Sequence, residues 1–263
     1  MTEVARSFDD GDAYERFMGV WSLAAGTTFL DWLRAPRGAR WLDVGCGTGV
    51  FTELVLNRCF PATVVAVDPS SAQLEFARRK PATKGADFRV ADAQALPFAD
   101  ASFDVVASAL VINFIPDRPR AIAEMCRVCR PGGIVGGYVW DFAEDGAPNL
   151  PICRGMMELG IDPPPVPGTK DSRLDAMRSL FADTRLEDIA IRTIDVTVSF
   201  TDFDEYWHSQ MPSYSPVTKT IAKLPEADRT RLIEIVRASL PSLPDGSVAC
   251  SARANAIRAR VPD

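Results

Sequence analysis

Residues 41–49 read WLDVGCGTG, and this stretch limits the possible fold more tightly than any other. A β-prone apolar run, broken only by Asp43, passes directly into Gly45, Gly47 and Gly49. Apolar residues then recur at helical spacing, at Val50, Phe51, Leu54 and Val55. The order is strand, tight glycine turn, helix. Such a turn lets bare backbone approach a ligand, and the helix behind it offers unpaired N–H groups. That combination describes a nucleotide-type site. The spacing is G-x-G-x-G, and Val50 stands where a dinucleotide-binding turn has its third glycine.

The same alternation continues downstream. Residues 62–67 (ATVVAV) form a continuous apolar run, as expected of a parallel strand buried on both faces. It ends at Asp68-Pro69, where Ser70 or Ser71 can cap the next helix, which runs to about Lys80. Residues 87–90 (DFRV) and 103–110 (FDVVASAL) read as the third and fourth strands. A helix over 118–130, closed by Pro131-Gly132-Gly133, leads to a fifth strand at 134–140. Strands alternating with helices over 40–140 predict a doubly wound α/β fold. Its right-handed crossovers gather the strand C-termini on one edge, where ligands bind at the switch in strand order.

Outside that core the pattern loosens. Residues 13–33 form one or two amphipathic helices with an aromatic face, including Tyr14 and Trp21, fitting either sheet packing or a flap over a ligand. Prolines 148, 151, 163, 164, 165 and 167 crowd 141–169, which predicts an irregular excursion over the ligand edge. A helix follows over 171–182, a sixth strand over 188–200, and broken helical material over 202–240. Residues 247–261 fit a final strand, although 252–260 suit a helix equally well by composition. The expected organisation is one domain over 1–263. It comprises an N-terminal helical flap (1–36), a ligand-binding core (37–141) and lid insertions at 142–185 and 201–246.

A formal net charge of -6 argues against a sequence-independent nucleic-acid binder. The polar, acidic N-terminus does not read as a signal peptide, and no apolar run approaches a membrane span, so the expected location is cytoplasmic. The six cysteines are scattered apart from Cys126 and Cys129, both within a helical pattern, and His208 is the one histidine. Neither a disulfide framework nor a metal site is expected.

Three carboxylates accompany the glycine turn. Asp43 lies inside the first strand, while Asp68 and Asp92 end the second and third. A carboxylate at the second strand end can accept from both ribose hydroxyls, and one at the third from an exocyclic amine of adenine. Together they describe an adenosine site with a positive or zwitterionic tail.

The segments WLDVGCGTG, VVAVDPS, ADAQALPFADASFDVV and EMCRVCRPGGIV, in this order, resemble the class I S-adenosylmethionine-dependent methyltransferases, closest to the small-molecule, type 11-like group. AYERFMGVWS and SARANAIRARV resemble segments of bacterial members, although Val20 stands where a basic residue is expected. The resemblance implies a Rossmann-like, mostly parallel seven-stranded sheet with N-terminal helices and inserted lids. It implies S-adenosylmethionine as cofactor, no metal, a small-molecule acceptor, and a monomer or homodimer. The implied cofactor contacts are Tyr14, Trp21, Asp43, Gly45, Cys46, Gly47, Asp68, Pro69, Asp92, Ala93, Ser108 and Asn113. Methyl transfer from a sulfonium needs a base only if the acceptor must lose a proton. His208 and Asp141 are the candidates carried forward, ahead of Tyr138, Tyr206 and Tyr214. The competing readings are an NAD-dependent oxidoreductase and a non-catalytic S-adenosylmethionine-binding protein.

Overall fold

The structure, a computed structural model, describes residues 15–263, so Tyr14 lies outside the described residues. Among these residues the strands are β1 (Arg40–Val44), β2 (Thr63–Asp68), β3 (Ala86–Val90), β4 (Phe103–Ala109), β5 (Cys129–Trp140), β6 (Glu187–Phe200) and β7 (Val248–Arg260). They form a seven-stranded sheet in the order β3-β2-β1-β4-β5-β7-β6. The first five strands are parallel, and β7 runs antiparallel to both β5 and β6. The expected mostly parallel, doubly wound sheet is the one observed. Strand order reverses between β1 and β4, so the glycine turn sits at the switch point where such sheets bind ligands.

Helices cover both faces because the inner strands are apolar on both sides. On one face, α1 (Val20–Leu33) and α2 (Val50–Cys59) bury Phe29 and Phe51 against Tyr138 of β5, with ring centroids 5.0 to 6.1 Å from the tyrosine. On the other, α4 (Arg118–Val128) and α6 (Leu174–Ala182) bury Ile122, Met125, Met177 and Phe181 against Val106 and Val135. Of the two candidate caps for α3 (Ser71–Arg79), Ser70 serves: its Oγ accepts from the Gln73 amide at 3.3 Å.

The structure corrects several local expectations. The proline-rich stretch contains a regular helix, α5 (Leu150–Glu158), because Pro151 lies in its first turn, where no amide donor is required. The helix before β5 stops at Val128, so Cys126 is helical while Cys129 opens the strand. A register shift between Phe103 and Val105 lets β5 start before Pro131-Gly132-Gly133. Residues 252–260 are strand, held between β5 and β6. Thr169–Ser172 is a 3₁₀ turn that precedes α6.

Two features extend the ligand edge. The β6–β7 ladder continues to Phe200↔Val248, whereas β5 stops at Trp140↔Ala254, so a two-stranded ribbon projects beyond the sheet. Beside it lie α5, α7 (Phe203–Ser209), α8 (Pro216–Ala222) and α9 (Glu226–Ser239). No helix among the described residues is long and apolar enough to cross a membrane.

Candidate active site

The glycine turn is shaped by its neighbours. Gly45 and Cys46 both donate their amides to the Val67 carbonyl, at 2.8 and 2.9 Å, which folds the chain sharply off β1. Gly45 has φ +80°, and a Cβ there would meet the Val111 methyls at 2.6 Å, so both backbone and packing demand glycine. Gly47, at φ +52°, faces more open space, with the Gln73 side chain at 3.8 Å from a built Cβ. The requirement at Gly47 is therefore conformational, and a ligand could approach its backbone closely.

The two nearest carboxylates play different parts. Asp68 bridges the turn and the next helix: Oδ2 accepts from the Gly47 amide at 3.0 Å and Oδ1 from the Ser70 amide at 2.8 Å. Desolvation raises its pKa, opposed by those two amides. Asp43 is 1% exposed. Its Oδ2 accepts from the Thr52 hydroxyl at 2.6 Å, while Oδ1 is buried without a partner among the described residues. Desolvation pushes Asp43 up to about 7; the Thr52 bond opposes this and the Asp68 charge adds to it. The hydroxyl of Thr48, also 1% exposed, likewise has no partner among the described residues. A buried carboxylate oxygen left unpaired is costly unless a donor or cation meets it.

Between α1 and the turn lies a cavity of about 30 Å³, bounded by Ser22, the 45–48 backbone, Phe51, Leu110 and Tyr138. Ser22, rather than Val20, is the α1 residue that faces it; Val20 is 46% exposed. A larger concavity, about 360 Å³, lies at the opposite edge, between the C-terminal ends of α1 and α2. It belongs to the N-terminal ends of the strands and touches none of the turn residues.

The other predicted residues take varied places. Gly45, Cys46 and Gly47 line the cavity. Trp21 is fully buried one position before Ser22. Pro69 and Ala93 follow the ends of β2 and β3, on the ligand edge. Asp92 is exposed on that edge, with both oxygens bonded to the Gln94 amide nitrogen at 2.9 and 3.0 Å. Ser108 is fully buried and donates to the Val44 carbonyl at 2.9 Å, tying β4 to the end of β1. The Nδ2 of Asn113 donates to Pro167 O at 3.2 Å, holding the segment ahead of α6. Asp141 is buried in the turn after β5, where Oδ1 accepts from the Glu144 amide at 3.1 Å. His208 is exposed on α7, with Nδ1 2.6 Å from the Asp204 carbonyl oxygen. Neither of the last two lines the cavity. Sequence reasoning missed Ser22, Thr48 and Gln94. Thr48 and Gln94 were legible from their places in the turn and two residues after Asp92, but Ser22 reaches the site only through folding.

Comparison with known proteins agrees with this geometry. Residues 42–136 match a family described as a methyltransferase domain. The malonyl-[acyl-carrier protein] O-methyltransferase of Methylococcus capsulatus is 39% identical over 130 residues, covering 49% of this chain and 46% of that protein. The ubiquinone/menaquinone biosynthesis C-methyltransferase UbiE of Dinoroseobacter shibae is 38% identical over 140 residues, covering 51% and 55%. The chain thus spans about half the length of these curated relatives. A solved structure of phosphoethanolamine N-methyltransferase 2 from Haemonchus contortus with S-adenosyl-L-methionine superposes with a TM-score of 0.56. It is 20% identical, over 96% of this chain and 57% of that one, and shows the shared fold. Residues 42–136 thus match a methyltransferase domain in sequence, and the chain as a whole shares the fold of a solved S-adenosylmethionine-bound methyltransferase.

Proposed function

We propose that the chain transfers a methyl group from S-adenosylmethionine to a small or medium organic acceptor. The observation that carries this reading is Asp43, a buried carboxylate with one unpaired oxygen behind the glycine turn. A cationic ligand satisfies it, and the ammonium and sulfonium of S-adenosylmethionine are both cationic. A dinucleotide would bring a pyrophosphate to the same turn, close to Asp43 and Asp68, and like charges would repel.

The chain's own groups fit this ligand. The backbone of Gly45 to Gly47 and the first amides of α2 face its amino-acid end, with Asp43 answering the ammonium. Asp68, already oriented by two amides, retains lone pairs for the ribose hydroxyls. Asp92 receives the adenine amine once Gln94 releases it, with Pro69 and Ala93 beside the ring. Ser108 and Asn113 act as braces, one on β1 and one on the segment before α6. Trp21 forms a wall beside the amino-acid end. A cavity of about 30 Å³ holds one water-sized group, so loading moves α1 outward.

When bound, S-adenosylmethionine supplies an activated methyl: the acceptor's lone pair forms the new bond to carbon while the carbon–sulfur pair returns to sulfur. The protein's contribution is alignment and exclusion of water, worth up to roughly 7–11 kcal/mol. His208 and Asp141 are the candidates for removing an acceptor proton, and pH–rate profiles of His208→Asn and Asp141→Asn distinguish them.

Thermal shift with S-adenosylhomocysteine and with NAD tests the reading. A ligand at 100 times its Kd stabilises by about 2.7 kcal/mol. Stabilisation by S-adenosylhomocysteine, with its release in turnover across an acceptor panel, is the expected result. Stabilisation by NAD alone overturns the proposal, and binding without turnover on any acceptor reassigns the protein as a non-catalytic binder.

A further inference from the structure

Trp21 and Trp140 are 0% and 4% exposed, and neither indole N–H has a hydrogen-bond partner among the described residues. Their rings meet edge to face at 6.3 Å. Phe200, the last residue of β6, lies 6.2 Å from Trp21, and Tyr206 of α7 lies 5.3 Å from Phe200. Ile152 and Met156 of α5 belong to the same cluster, and β7 supplies Val248, Cys250 and alanines to it. With the buried Tyr206 hydroxyl, the two indoles make three desolvated donors in one aromatic cluster, an unusual core because buried polar groups are nearly always paired.

The cluster adjoins the candidate cofactor cavity along two elements. Trp21 immediately precedes Ser22, which lines that cavity from α1. Tyr138, also lining it, lies two residues before Trp140, so both point to the same face of β5. Apart from Trp140, the walls come from α1, α5, α7 and the β6–β7 ribbon, all outside the matched residues 42–136.

We infer that this aromatic cluster is the acceptor site, and that it takes a flat, largely apolar molecule carrying a hydrogen-bond-accepting oxygen, phenolic or carbonyl. The aromatic walls hold the ring system, and the indole N–H groups of Trp21 and Trp140 donate to the oxygen, which places the molecule beside the methyl donor. The inference rests on the methyltransferase reading and adds the acceptor's class to it.

The test uses the full chain saturated with S-adenosylhomocysteine, with 1-naphthol as probe and naphthalene, which lacks the oxygen, as control. Indole ¹H–¹⁵N resonances of the five tryptophans are assigned with Trp21→Phe and Trp140→Phe. The expected result is saturable displacement of the Trp21 and Trp140 signals by 1-naphthol, with naphthalene binding about tenfold more weakly. Trp140→Phe should lose affinity for 1-naphthol by a similar factor while calorimetry shows unchanged S-adenosylhomocysteine binding. Absence of 1-naphthol binding, equal affinity for both probes, or displacement confined to other tryptophans overturns the inference. Failure of S-adenosylhomocysteine to bind overturns the methyltransferase reading instead, so the two failures are distinguishable.

Discussion

Asp43→Asn should make the protein more stable at pH 8 and weaken its hold on the cofactor. In the folded chain Asp43 titrates at about 7 rather than 3.8, chiefly through desolvation. The folded state therefore holds this proton more tightly than the unfolded state, and stability falls as pH rises from about 4 to 7. About three pH units at roughly 1.4 kcal/mol each give on the order of 4 kcal/mol of destabilisation at pH 8. Asparagine carries no charge and keeps an oxygen for the Thr52 hydroxyl, but it buries an NH₂ at a cost of about 1–3 kcal/mol. The net gain is about 1–3 kcal/mol, or roughly 2–10 °C in Tm for a chain of this size. At pH 5 the wild-type carboxyl is protonated when folded, so the gain falls by about 3 kcal/mol and vanishes or reverses. Differential scanning fluorimetry of both proteins from pH 5 to 8.5 measures this directly. A Tm difference that does not change with pH refutes the reasoning, since it would mean that Asp43 titrates alike in both states. Calorimetry supplies the functional half. S-adenosylhomocysteine should bind Asp43→Asn about tenfold more weakly. Binding of 5′-methylthioadenosine, which lacks the amino-acid end, should be unchanged.

Other substitutions probe the frame around the site. Gly45→Ala should cost about 2–4 kcal/mol, from a left-handed backbone and collision with Val111, and Gly47→Ala only about 1–2 kcal/mol; urea titration ranks them. The smaller change should nonetheless impair S-adenosylhomocysteine binding, because Gly47 lines the cavity. Ser108→Ala, which removes the buried tie to Val44, should lower stability by about 1–2 kcal/mol without altering the urea m-value. Bonds from Arg40, and then from Arg130, hold Asp104 well below the usual carboxylate range. Its contribution is present above pH 4 and lost as pH falls below that, so Asp104→Asn should destabilise at pH 7 by about 1 kcal/mol and have little effect near pH 2.

The sequence by itself determined the core. Runs such as TVVAV, β-branched and bounded by turn residues, suit strands buried on both faces, and a glycine turn between strand and helix opens a ligand site at one edge of the sheet. Asp43, Asp68 and Asp92 were legible because each is tied to a strand end by local chain order. The segments outside the core were harder to read. Pro151 marks a helix start or a break depending on what surrounds it, and 252–260 became strand only because β5 and β6 stand on either side. Asp141 and His208 attract notice by residue type, yet one anchors a turn and the other lies exposed on α7. Only the tertiary structure brought Ser22 to the glycine turn and Trp21 to Trp140, nearly 120 residues apart in the chain. It alone showed that Asp43 keeps an oxygen unpaired, since desolvation depends on what the whole fold packs around a group rather than on the sequence beside it.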